Sequence, residues 1–138
     1  MILLDTNIII DAHYGSAIER NRARNLISSA VINEGAAISS VSLAELYAGP
    51  DPGLTIEEEI RHTGVAIFDI PVAAAPICGR AYRKYRVARR KSGGGKGSSI
   101  PLPDFFIGAH AELMGWELAT RDSERFRLYF PKVKLIEP

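Results

Sequence analysis

Residues 1–11 read MILLDTNIIID, and the fold turns on what the carboxylate in the middle of that apolar stretch is doing. Ile2, Leu3 and Leu4 form a short run suited to a buried strand, and Asp5-Thr6-Asn7 is turn-prone. Apolar residues resume at Ile8, Ile9 and Ile10 before Asp11. The pattern predicts a strand that stops at Asp5 and a helical turn that packs back on the sheet.

Outward from there, strands and helices alternate. Further strands are expected at residues 36–39, 65–70, 117–120 and 133–136, and helices at 18–31, 42–49, 55–62, 76–91, 103–114 and 123–128. Ser42-Leu43-Ala44-Glu45 has the spacing of a capping box. No internal repeat is visible. The alternation predicts an α/β/α sandwich with a mainly parallel central sheet, and 138 residues suit one domain, 1–138, with a substantial core.

Composition narrows the class. The single cysteine, Cys78, excludes an internal disulfide framework and a cysteine-cluster metal site. Asp5 interrupts any secretory leader, and the longest apolar tract, 64–79, contains Asp69, Pro71 and Pro76, so a soluble cytoplasmic protein is expected. The net charge of +1 hides a polarised chain. No acidic residue lies between Asp69 and Asp104, where Arg80, Arg83, Lys84, Arg86, Arg89, Arg90, Lys91 and Lys96 all fall. Such a segment suits a polyanionic ligand, and equally a solvated helix face. The stretch SGGGKGSS, residues 92–99, reads as a flexible loop, and without a GK[ST] ending or a preceding strand it is no phosphate-binding P-loop.

In a parallel sheet the strands finish at one edge, and sites form outside it. Asp5 follows the first strand and Asp122 follows the strand at 117–120. Glu45 lies about one turn into the helix that leaves the second strand, and Asp104 opens a helix leading back to the start of a strand. All four therefore map to one edge. Singly, each has an ordinary explanation: a turn cap at Asp5, a capping box at Glu45, an N-cap at Asp104, an Asx turn at Asp122. Together those explanations weaken. At roughly 5 Å and an effective dielectric near 20, each carboxylate pair costs about 3 kcal/mol, which a domain stable by about 5–15 kcal/mol cannot absorb several times over.

The cluster thus calls for a cation, and all-oxygen ligands select Mg²⁺ or Mn²⁺ rather than zinc. His13, His62 and His110 lack zinc-site spacing and read as surface or packing residues. Thr6, Asn7 and Thr120 flank the acids and could orient ligands or waters, or be plain turn residues. A carboxylate-bound dication beside a basic segment points to phosphodiester chemistry. Arg83, Arg86, Arg89 and Arg90 are the candidate backbone contacts, and Tyr82 and Tyr85 could stack on bases, although Tyr85 has core spacing.

The motifs LLDTNIIID (3–11), SSVSLAELYAG (39–49), LPDFFIGAHAELMGWELATRD (102–122) and SERFRLYFPKVKLI (123–136) resemble, in order and spacing, the PIN-domain ribonucleases, specifically the VapC-type toxins of toxin–antitoxin pairs. The resemblance covers essentially the whole chain. It implies an acidic catalytic site of Asp5, Glu45, Asp104 and Asp122, with Asp5, Asp104 and Asp122 as metal contacts. It further implies RNA cleavage with Mg²⁺ or Mn²⁺, a homodimer, and silencing by a VapB-type antitoxin. A PIN nuclease in housekeeping RNA maturation is the near alternative, and a non-catalytic nucleic-acid-binding module the distant one. A receiver or aspartyl-phosphatase module fits poorly, because Asn7 stands where a second aspartate is needed.

Overall fold

The computed structural model describes residues 1–49, 55–93 and 101–138. In chain order the elements are β1 (Ile2–Leu4), α1 (Thr6–Tyr14), α2 (Ala17–Asn33), β2 (Ala36–Ser39), α3 (Ser40–Tyr47), α4 (Ile56–His62), β3 (Ala66–Phe68), α5 (Ala74–Lys91), α6 (Leu102–Met114), β4 (Glu117–Ala119), α7 (Ser123–Tyr129) and β5 (Leu135–Ile136). The strands form one sheet in the order β3-β2-β1-β4-β5, with every pairing parallel. The expected sandwich is borne out. Most of residues 92–99 lies outside the described residues.

β1 is the hub because neither of its faces meets water. Leu3 packs with Ala37, Cys78, Phe105 and Phe126 on one side of the sheet, while Ile2 and Leu4 pack with Ile8, Ile27 and Ile38 on the other. A strand buried on both faces reads as a continuous apolar run, which is what residues 2–4 supply. Helices α1 to α4 contribute to the second of these cores, and α5, α6 and α7 to the first. Among the described residues, no helix is long and apolar enough to cross a membrane.

Three local details depart from expectation. The turn after Asp5 grows into a nine-residue helix, α1, because Asp5 caps it through Thr6. Helix α3 begins at Ser40 with Ser39 as its cap, so the predicted capping box at Ser42 does not form. The buried Ser42 hydroxyl has no partner among the described residues, and Glu45 turns elsewhere. A true capping box occurs at Ser16 and Glu19, where it opens α2.

Strand order fixes where a site can form. The chain steps from β1 outward to β2 and β3, then crosses back to β4 on the other side of β1. The carboxyl ends of β1 and β4 therefore flank the switch point, the crevice where open α/β sheets hold their ligands. The amide of Asp5 donates to the Ala119 carbonyl at 2.9 Å, joining the two strand ends directly.

Candidate active site

Asp5 is 4% exposed and accepts from three donors. Its Oδ1 takes the Thr6 amide at 2.8 Å, and its Oδ2 takes the Asn7 side-chain amide at 2.8 Å and the Thr120 hydroxyl at 2.7 Å. Those donors fix the carboxylate rather than neutralise it. Burial above all, with the nearby charges of Asp104 and Glu45, outweighs the hydrogen bonds from Thr120 and Thr6 and pushes Asp5 up from 3.8 to about 6.

The other acids arrive from separate elements. Glu45, on α3, accepts from the Thr6 hydroxyl. Burial and then the Asp104 charge raise its pKa against that hydrogen bond. Asp104 is the third residue of α6, whose cap is Pro101, so its carboxylate is free of any capping duty. Burial raises Asp104 and Asp122 adds to the effect, while Arg125 opposes it. Asp122 is exposed at the start of α7 and makes no side-chain cap. Its Oδ2 lies 3.4 Å from the Asn7 amide, and its own amide donates to the Thr120 hydroxyl at 3.0 Å.

The four acids are thus electrostatic neighbours, and Asp104 is coupled to each of the other three. Thr6, Asn7 and Thr120 are more than turn residues here. Asn7 touches Asp5, Thr120 and Asp122, and its Oδ1 accepts the Arg121 amide at 3.3 Å. One side chain thereby ties the end of β1 to the end of β4.

The donor set suits a hard divalent cation in kind, since it offers carboxylate oxygens only; burial first, and neighbouring carboxylates after it, raise the proton affinities of Asp5, Glu45 and Asp104. Among the described residues, no three His, Cys, Asp or Glu side chains are gathered closely enough to hold an ion as they stand. Glu45 is engaged by Thr6, and Asp104 by Arg125.

The basic helix lies beside this edge. Tyr82 and Tyr85 of α5 pack on Phe105, the residue after Asp104, with ring centroids 5.1 and 5.5 Å apart. That contact sets the carboxyl half of α5 along the first turn of α6. Arg83, Arg86 and Arg90 are exposed, whereas Arg89 is half-buried and donates to the Tyr85 hydroxyl at 2.8 Å. Tyr85 is 8% exposed and belongs to an aromatic core with Phe105 and Tyr129, as its core spacing predicts, so it does not stack on bases. Half-buried Tyr82 joins the same cluster.

Sequence reasoning missed two ion pairs at this edge. Arg125 pairs with Asp104, and Arg121 with the buried Asp11 at 2.6 Å. Arg121 precedes Asp122 on the strand-to-helix turn, and Arg125 lies on the first turn of α7. His110 is buried as a packing residue against Trp116, and His62 is exposed, as expected.

Comparison with known proteins agrees with this fold. The family model described as PIN domain matches residues 2–131. Among solved structures, the chain is similar to VapBC2 from Rickettsia felis, bound to a promoter DNA fragment, at 24% identity and a TM-score of 0.66, covering 99% of this chain and 98% of that one. It is similar to FitAcB from Neisseria gonorrhoeae at 22% identity and a TM-score of 0.67, covering 99% and 96%. A toxin–antitoxin complex from Klebsiella pneumoniae gives 24% identity and a TM-score of 0.63, covering 96% and 95%. At such identities the likeness is one of fold. No curated protein matches the sequence.

Proposed function

The chain belongs to the PIN-domain family, and on that premise we propose that it is a metal-dependent endoribonuclease, the toxin of a toxin–antitoxin pair. The observation that carries the reading is Asp5. A carboxylate is kept out of water, held by three donors, and raised to about 6 beside two further acids. Such an arrangement opposes folding unless a positive charge completes it.

Asp5, Asp104 and Asp122 would hold Mg²⁺ or Mn²⁺. Bound there, the cation supplies Lewis acidity, polarising a phosphoryl oxygen and lowering the pKa of an attacking water. The chain's own residues do the rest. Thr120 and Asn7 fix the Asp5 carboxylate in orientation, and Thr6 does the same for Glu45. Glu45, with its raised pKa, is suited to take the proton from the attacking water. Arg83, Arg86 and Arg90, exposed along α5, would hold the phosphate backbone of a single-stranded RNA.

Toxin–antitoxin assemblies among the structural neighbours support a VapB-type antitoxin as partner; RNA as the target is part of the proposal itself. A homodimer is part of the same proposal.

The test is cleavage of purified total RNA by the wild type and by Asp5→Asn/Asp104→Asn, with Mg²⁺, Mn²⁺ or EDTA, after any co-purified partner is stripped. Discrete fragments from the wild type alone, abolished by EDTA, are expected. Cleavage that persists in the double variant would remove the acids from the chemistry. RNA binding without cleavage by either protein would favour the non-catalytic module. Active protein that co-purifies with no small partner would favour housekeeping maturation.

A further inference from the structure

Arg125 stands three residues beyond Asp122 on the first turn of α7, and its guanidinium pairs with the Asp104 carboxylate. The contact is sheltered: the Arg125 and Asp104 side chains are 32% and 14% exposed. Among the four acids, Asp104 is the one coupled to each of the others, so a charge placed on it is felt across the whole cluster.

The surroundings leave space beside the guanidinium. On one side is an aromatic niche formed by Phe105, Phe126, Tyr129 and Phe130. On the other is an open cavity of about 330 Å³ lined by Arg121, Asp122, Ser123 and Glu124. Arg125 itself lines both the niche and that cavity, so open space adjoins its side chain.

We propose that Arg125 is the internal counter-ion of this acidic site: its guanidinium holds Asp104 until a divalent cation takes that carboxylate, and Arg125 thereby sets the cation affinity. The inference rests on the metal-site reading above. The physical reason is competition for one anion. A guanidinium engages a carboxylate through directed hydrogen bonds, and a dication needs the same oxygens and brings repulsion toward the arginine. Any free energy the pair contributes to the cation-free protein is subtracted from cation binding, and the coupling is reciprocal.

Mn²⁺ titration followed by electron paramagnetic resonance tests this without recourse to catalysis. The full chain is compared with Arg125→Gln, Arg125→Lys and Asp104→Asn. Arg125→Gln keeps most of the side-chain volume and loses the charge, so Mn²⁺ should bind roughly 5- to 20-fold more tightly. Arg125→Lys should fall between that variant and the wild type, because an ammonium holds a carboxylate from a single point. In EDTA, Arg125→Gln should melt below the wild type, and Mn²⁺ should restore more of its melting temperature.

Wild-type or weaker Mn²⁺ affinity in Arg125→Gln, with affinity lost in Asp104→Asn, would overturn the counter-ion role and leave the metal site standing. Mn²⁺ affinity unchanged in Asp104→Asn would overturn the metal site itself. If Arg125→Gln does not fold, the lysine variant decides: unchanged affinity there overturns the inference.

Discussion

Asp5 and His110 are both titratable and both nearly sealed from water, at 4% and 1% exposure, yet they are buried in opposite ways. Asp5 sits where two strand ends meet, with three donors aimed at it and other carboxylates nearby. His110 sits far along α6, with its ring 5.6 Å from that of Trp116 and its Nδ1 without a partner among the described residues. Burial raises the one pKa and lowers the other, each time disfavouring the charged form. The difference lies in the company. Hydrogen bonds hold Asp5 in orientation against its own electrostatic cost, the mark of a group placed for chemistry. Among the described residues no hydrogen bond reaches the buried His110 Nδ1, the mark of a group placed for volume.

The largest expected effect separates the two in activity. Asp5→Asn should reduce RNA cleavage by about a thousandfold or more, because asparagine offers one acceptor where three donors converge and carries no charge for the cation. His110→Leu should stay within about threefold of the wild type, since the ring touches no acid of the site. Cleavage rates under single-turnover conditions, with circular dichroism to confirm folding, check both. Similar losses from the two variants would erase the distinction.

Next in size is the pH dependence of stability. Asp5 has a folded pKa of about 6 against an ordinary 3.8, so the folded state binds this proton more tightly than the unfolded chain does. Its contribution is fully present below about pH 4 and is lost as pH rises toward 6, a change of about 3 kcal/mol. Denaturant unfolding in EDTA should therefore show stability falling between pH 4 and 6 relative to Asp5→Asn. Saturating Mn²⁺ should abolish that fall by holding Asp5 ionised, and should itself bind more weakly below pH 6. A pH dependence identical in the variant and the wild type would mean that the carboxylate is solvated in solution.

Gly108 joins the two regions, because it lies on α6 between Asp104 and His110 with the Phe130 ring against it. A Cβ there would fall 2.4 Å from that ring, so either Phe130 or the helix must shift. Gly108→Ala should cost about 1–3 kcal/mol of stability by overpacking. A helix shift would also displace Asp104 and weaken Mn²⁺ binding, whereas a Phe130 shift would leave the affinity intact. Calorimetric melting and Mn²⁺ titration together distinguish the two.

Much of this was legible in the sequence because the sheet imposes it. A run such as Ile2–Leu4 is sealed on both faces, and in a parallel sheet the residue after each strand must land at one edge. That rule put Asp5 and Asp122 at one edge, and Asp104 was assigned to the same edge because its helix leads back to the start of a strand. Glu45 reached the same edge on the helix that leaves β2, while the capping box weighed for it does not form: Ser39 rather than Ser42 caps that helix, and Glu45 bonds to Thr6. The ion pairs of Arg121 and Arg125 were not legible. A long side chain on a turn can reach several carboxylates, and only the packing of α7 against α6 selects one. Nor did periodicity separate Tyr82 from a base-stacking role, since a half-buried ring on a basic helix satisfies both patterns.

The smallest expected effect isolates the packing histidine. With its pKa lowered by burial, His110 remains neutral in the folded state at pH values where the unfolded chain takes up a proton. Its contribution is present above about pH 6.5 and is lost as pH falls below it, opposite in sign to that of Asp5. His110→Leu removes both the unpartnered Nδ1 and the titration, and gives up some contact with Trp116. At pH 7 the variant should lie within about 1 kcal/mol of the wild type. Between pH 6.5 and 5 it should become progressively the more stable of the two, as read from paired denaturant curves. A stability difference that does not change with pH would mean that the ring is charged, or reached by water, in the folded state, and the contrast with Asp5 would then be one of degree alone.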